Sequence, residues 1–129
     1  APAHKENSVM ALIMIITQYS EAGFKSVALG ESGDRLEANK AHFKKLGAEL
    51  IAQYFSTTDG YIYTIIEGDP SIIPMMHFTS KGTGGFQHME AKLLIESHEL
   101  FDHAKKAGEL FGTLSPPNRD EIDRMLLED

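Results

Sequence analysis

The stretch ELIAQYFSTTDGYIYTIIEG, residues 49–68, consists of two apolar runs joined by a short polar turn. The runs Glu49–Ser56 and Tyr61–Glu67 are rich in β-branched and aromatic residues, which are typical of β-strands. Asp59-Gly60 lies between them and indicates a tight hairpin, because glycine adopts positive φ without steric cost. The stretch therefore predicts two neighbouring antiparallel strands.

The segments on either side of the hairpin complete an α+β pattern. In chain order, the predicted elements are a strand at Val9–Tyr19, a helical segment from Glu21, a helix at Asp34–Leu46, the hairpin, a short helix at Ser71–Ser80, a strand at Phe86–Glu96, a helix from Ser97 to Phe111 and a terminal helix from Asn118 or Asp120. This order is that of a ferredoxin-like split βαβ fold. We expect an α+β fold with a four-stranded antiparallel sheet, helices on one face and extra C-terminal helices.

Length and composition are those of one globular domain with short extensions. The chain has 129 residues, of which 42% are apolar and 24% are charged, so it can form one core and is too apolar for a disordered chain. We divide it into a flexible N-terminal extension at residues 1–8, a ferredoxin-like domain at 9–114 and a C-terminal helical extension at 115–129.

Charge and cysteine content exclude several classes of function. With 12 basic and 19 acidic residues the net charge is −7, which argues against nucleic-acid binding. There is no cysteine, so thiolate catalysis and disulfides are excluded. The apolar run Val9–Ile16 has eight residues, whereas a membrane-spanning helix needs about twenty. We expect a cytoplasmic protein that does not bind membranes; an exported mature form is the alternative.

Strand alternation predicts that the sheet is apolar on both faces. The first and third strands carry apolar side chains on both sides. Within each strand, alternation predicts which side chains share a face: Leu12, Met14 and Ile16 in the first strand, Leu50, Ala52 and Tyr54 in the second, and Phe86, His88 and Glu90 in the fourth. One layer of helices covers only one face, so the other needs a further cover.

A second subunit is the simplest cover for that face. Leaving roughly a few hundred Å² of it in water, at about 25 cal/mol per Å², forfeits several kcal/mol. We therefore expect a homodimer or a higher homo-oligomer; a C-terminal helix folded across the sheet is the alternative. Polar and aromatic side chains would line the mouth of the space between two sheets, namely His88, Glu90, Tyr54, Tyr61 and Tyr63.

Several short motifs resemble those of the GYD-domain family. They are Thr17–Lys25, Arg35–Ala38, Leu46–Leu50, Gln53–Phe55, Thr58–Tyr61 and Ile65–Glu67. The resemblance implies that residues 9–114 form a GYD-type domain of the dimeric α+β barrel type, in a family whose biochemical function is generally unassigned. Larger relatives of that barrel include cofactor-free monooxygenases and haem-binding enzymes. The family hairpin reads Gly-x-Tyr-Asp, whereas here Tyr61 is followed by Ile62.

Histidine, tyrosine and carboxylate side chains are the available chemical groups. His88 and Glu90 lie two apart on a strand and so share a face, which makes them the predicted catalytic pair. A further set is predicted to bind a ligand: Tyr19, Tyr54, Tyr61, Tyr63 and His77. His98 and Asp102 are four apart on a helix but lack a third partner, so we assign no metal ligands.

Three functions follow from these residues. The first is binding of a small apolar or aromatic ligand between sheet and helices, without chemistry. The second is a cofactor-independent monooxygenase or isomerase that uses His88 as acid and base. The third is a haem or metal binder through His88 or His77. A pure assembly role is a further alternative. The sequence names no cofactor and leaves the choice between these functions open.

Overall fold

The chain folds into strands and helices in the order that the sequence predicts. The structure is a computed structural model that describes residues 10–115, 117 and 119–128. The elements are β1 (Ala11–Tyr19), α1 (Glu21–Ala28), α2 (Arg35–Lys45), β2 (Glu49–Phe55), β3 (Ile62–Gly68), a 3₁₀ turn (Pro70–Ile72), α3 (Ile73–Gly82), β4 (Phe86–Leu94), α4 (Ser97–Glu109) and α5 (Arg119–Glu128). The expected N-terminal extension, residues 1–8, lies outside the described residues.

The four strands form one antiparallel sheet in the order β2-β3-β1-β4. The molecule is thus an α+β protein whose sheet and helices are compatible with a ferredoxin-like fold, which confirms the expectation at that level. The hairpin between β2 and β3 closes as predicted, since Gly60 has φ 77° and the Ser56 amide donates to the Tyr61 carbonyl at 2.8 Å.

The core lies between one face of the sheet and helices α2 and α3. Ile13 of β1 and Ile66 of β3 are completely buried there, on the two central strands. Phe43 of α2 and Met76 of α3 close the core from the helix side. We call this side of the sheet the core face, and the opposite side the outer face.

Two register shifts change the faces that simple alternation predicts. A shift between Leu50 and Ala52 places Leu50 opposite Ile66 on the core face, so the prediction that Leu50 shares a face with Ala52 is wrong. A second shift at Gln18 and Tyr19 sets Phe86 opposite Tyr19. Phe86 therefore joins the core face, and its predicted grouping with His88 is also wrong.

The chain divides into two compact units, one ending at Leu94 and the other beginning at Ile95. The first contains the whole sheet with α1, α2 and α3. The second contains α4 and α5, and α4 carries exposed apolar side chains at Leu100 and Phe101. No helix in the described ranges combines the length and the apolar character needed to cross a bilayer.

Candidate functional site

A cavity of about 390 Å³ lies between the core face of the sheet and helices α2 and α3. Ile15 of β1 and Ile62 of β3 contribute apolar side chains from the strands, and Phe43 and Met76 contribute them from the helices. This volume falls within the range of roughly 300–1,000 Å³ typical of small-molecule sites. The first unit therefore contains a mostly apolar space of the size that one small ligand fills.

Two stacked aromatic rings line one part of this cavity. The centroids of Tyr19 and Phe86 are 5.4 Å apart, with 23° between the ring planes. Phe24 of α1 meets Tyr19 edge-on, with centroids 5.5 Å apart. The rings meet because the register shift at the end of β1 turns Phe86 to the side of Tyr19. An aromatic surface of this kind suits a flat, apolar ligand.

Helix α2 presents a polar stripe to the cavity. Arg35, Asn39 and His42 line it, at spacings of four and three that place them on one side of a helix. The helix begins here because Asp34 caps it, accepting a hydrogen bond from the Glu37 amide at 3.2 Å. Phe43 of the same helix packs in the core and also lines the cavity, so α2 contributes both apolar and polar side chains to that space.

The strands add further polar groups to the cavity. The Gln53 side-chain amide donates to the Thr64 hydroxyl at 2.9 Å, and both side chains line the space. Thr17 of β1 also lines it. A bound molecule would therefore meet hydrogen-bonding groups as well as apolar side chains in this space.

A second cavity, of about 310 Å³, adjoins the first, because Tyr19, Arg35 and Phe86 line both. The loop before β4 borders it, held by Ser20. The Ser20 hydroxyl donates to the Gly84 carbonyl at 2.7 Å, and its amide donates to the Gly85 carbonyl at 2.9 Å. The glycine-rich loop therefore has defined hydrogen bonds to the start of α1.

The predicted catalytic pair lies on the outer face. The His88 imidazole is 3.7 Å from the Glu90 carboxylate, and the Tyr61 ring meets that imidazole edge-on, with centroids 5.3 Å apart. The Lys92 ammonium is 3.1 Å from Glu90. Its hydrogen bond and charge, with a smaller contribution from His88, lower the pKa of the Glu90 carboxyl.

The structure separates the predicted ligand-binding residues. Tyr19 lines the cavity. Tyr63 lies on the outer face, opposite Ile16, and Tyr54 lies beside it, 64% exposed. His77 is exposed on α3. The fold thus brings His88, Glu90 and Tyr61 together, but on the opposite side of the sheet from the cavity.

The sequence did not predict a functional role for the polar cavity residues Arg35, Asn39 and His42. Their spacing on α2 was a usable signal, but it equally fits a solvated helix face. His42 is the histidine that lines the cavity, and its imidazole is the side-chain group there that is best suited to hold a cofactor. In the described ranges, no group of three or more histidine or acidic residues is placed to hold a metal ion.

Comparisons of the chain with protein-family models, with curated proteins and with solved structures found no match. The geometry of the cavity is therefore the main guide to function.

Proposed function

We propose that this protein binds a small apolar or aromatic molecule in the cavity between the sheet and helices α2 and α3. The observation that carries the proposal is the 390 Å³ space itself, a half-open cavity bordered by core-face strand residues and by two helices. Its stacked Tyr19 and Phe86 rings offer a flat surface, while Gln53 and Thr64 offer hydrogen-bonding groups.

Binding without covalent chemistry is the function that these residues support best. The predicted acid–base pair, His88 and Glu90, faces away from the cavity, so it cannot reach a molecule held there. In the described part of the chain, the imidazole that lines the cavity is that of His42. The cavity supplies surface, shape and hydrogen bonds, which are the requirements of a binding site.

We also propose that the outer face is covered by a second copy of the chain, as in the dimeric α+β barrel type. Met14 and Ile65 are half-buried apolar side chains at its centre, paired across β1 and β3. Tyr54 at its edge is 64% exposed. Monomeric proteins rarely expose a large contiguous apolar patch.

We further propose that the chain belongs to the GYD-domain family, whose members have the dimeric α+β barrel type of fold. The motifs between Thr17 and Glu67 support this proposal.

A filled cavity tests the binding proposal. Ala38 lines the cavity from α2, and Ala41 is an exposed residue on the same helix that does not line it. The probe is 2-naphthamide, a flat and largely apolar molecule. We expect Ala38→Trp to weaken its binding at least about tenfold, as measured by calorimetry, because the indole ring would fill space that the ligand occupies. Ala41→Trp is the matched control and should bind as the wild type does. Equal binding by both variants, with their folds intact, would place the ligand elsewhere.

A further inference from the structure

Arg35 is the one permanently charged side chain among the described residues that line the cavity. It is half-buried at the first position of α2, and it also lines the adjoining second cavity. Its guanidinium donates to the Ser32 carbonyl at 3.4 Å, which is a long hydrogen bond. In the part of the chain that the structure describes, it has no carboxylate partner. Most of its donors therefore remain free for a ligand.

The chain as a whole is acidic. Acidic residues outnumber basic ones 19 to 12, so carboxylates are plentiful on the surface. Neither aspartate nor glutamate is among the described cavity-lining residues. Arg35 thus places one positive charge at the cavity of a protein whose net charge is −7, and partial burial makes such a charge more effective than it is in bulk water.

The neighbouring side chains fit an anion with an apolar body. Tyr19, Phe86 and Arg35 all line both cavities, so a molecule held where the two cavities adjoin meets aromatic rings and a guanidinium. Asn39 lies one turn further along α2 and adds amide donors. A planar guanidinium matches a carboxylate geometrically because two parallel N–H groups meet two oxygens.

We propose that the ligand of this cavity is an aromatic carboxylic acid, whose ring lies against Tyr19 and Phe86 and whose carboxylate is bound by Arg35. The inference rests on the proposed function, because it names the chemical class of the molecule that the cavity takes. It is carried by an independent feature, the unpaired charge of Arg35 in a space without acidic side chains.

Matched acids and amides test the charge separately from the cavity. The probes are benzoate with benzamide, and 2-naphthoate with 2-naphthamide, titrated calorimetrically into the full chain. One of the two acids will bind more tightly than the other. We expect the wild type to bind that acid at least about tenfold more tightly than the matching amide, because charge-assisted hydrogen bonds are about twice as strong as neutral ones. Arg35→Gln should abolish this preference, because the charged partner of the carboxylate is removed.

Two further variants complete the design. Lys40→Gln removes the same charge from an exposed position of α2 that does not line the cavity, and it should keep the full preference for the acid. Arg35→Lys keeps the charge without the planar fork and should keep a reduced preference. Circular dichroism checks that each variant is folded.

The possible outcomes separate the two proposals. Equal affinity of the wild type for acid and amide would overturn the carboxylate inference and leave the binding function standing. Equal loss of the acid preference in Arg35→Gln and Lys40→Gln would also overturn it, because a long-range charge effect would then explain the preference. Failure of all four probes to bind the wild type would contradict the proposed function itself.

Discussion

Glu90 shows how local charge sets the behaviour of a single residue. It lies on the outer face between Lys92 and His88, and the Lys92 ammonium at 3.1 Å is the main reason that its pKa is lowered. Its carboxylate form is favoured in the folded state. The resulting contribution to stability is present above the pKa of the unfolded chain and is lost as the pH falls through the lowered folded value.

Replacement of Lys92 tests this cause. We expect Lys92→Met to raise the pKa of Glu90 towards its ordinary value, because both the hydrogen bond and the positive charge are removed. Side-chain carboxyl NMR during a pH titration measures the change. Lys45→Met removes an exposed lysine on α2 and should leave the pKa of Glu90 where it is. An unchanged pKa in Lys92→Met would show that another group lowers it.

At the residue scale, the sequence predicted a turn residue, whereas it did not reveal which side chains share the cavity. Gly60 was predicted from the Asp-Gly pair, and its φ of 77° confirms the turn. Arg35 was not predicted to bind a ligand, because the role that we propose for it depends on its lining the same cavities as Tyr19 and Phe86. That proximity arises from long-range packing, which one sequence does not display.

At the scale of elements, α1 depends on a close approach to the loop before β4. A Cβ added at Gly23 would overlap the carbonyl oxygen of Gly85 and would come within 3.2 Å of the Tyr19 Cβ. That carbonyl also accepts the Ser20 amide hydrogen bond at 2.9 Å, so it cannot move freely. The start of α1 and the loop are therefore packed backbone to backbone.

We expect Gly23→Ala to lower the free energy of unfolding by about 1–3 kcal/mol, because overpacked positions must shift their backbone. Gly82→Ala is the control, since Gly82 ends α3 and a Cβ there meets nothing within 4 Å. That change should be neutral or stabilise by up to about 0.5–1 kcal/mol. Urea denaturation of both variants gives the comparison, and equal stabilities would contradict the close approach.

Element order and type followed from the sequence, whereas the exact faces of two strands did not. Hydrophobic runs and turn residues sufficed to predict the strands and the helices that pack on the sheet. The register shifts at Leu50–Ala52 and at Gln18–Tyr19 depend on pairing between distant strands, which alternation alone does not reveal. The second shift matters most here, because it brings Phe86 to the cavity.

For the whole molecule, the outer face leads us to expect an oligomer. Ile65 lies at its centre beside Met14 and Ala52. Light scattering should give the wild type a mass of at least twice the 14.3 kDa of one chain. Ile65→Glu should shift it towards 14.3 kDa, because the carboxylate would be buried in an apolar interface.

Leu29→Glu is the matched control for that experiment. It makes the same apolar-to-acidic change at an exposed residue that caps the C-terminus of α1. We expect this variant to keep the oligomeric mass. A wild-type mass of 14.3 kDa at micromolar concentration would contradict the proposed interface, whatever the behaviour of the variants.

Methyl NMR of the full chain titrated with 2-naphthoate tests the central claim, ligand binding between sheet and helices, most directly. Isoleucine and methionine methyl groups report on both faces of the sheet. The cavity contains Ile15, Ile62 and Met76, and the outer face contains Met14 and Ile65. Saturable shifts confined to the first set are the predicted result. Shifts confined to Met14 and Ile65, or no saturable shifts, would contradict the account.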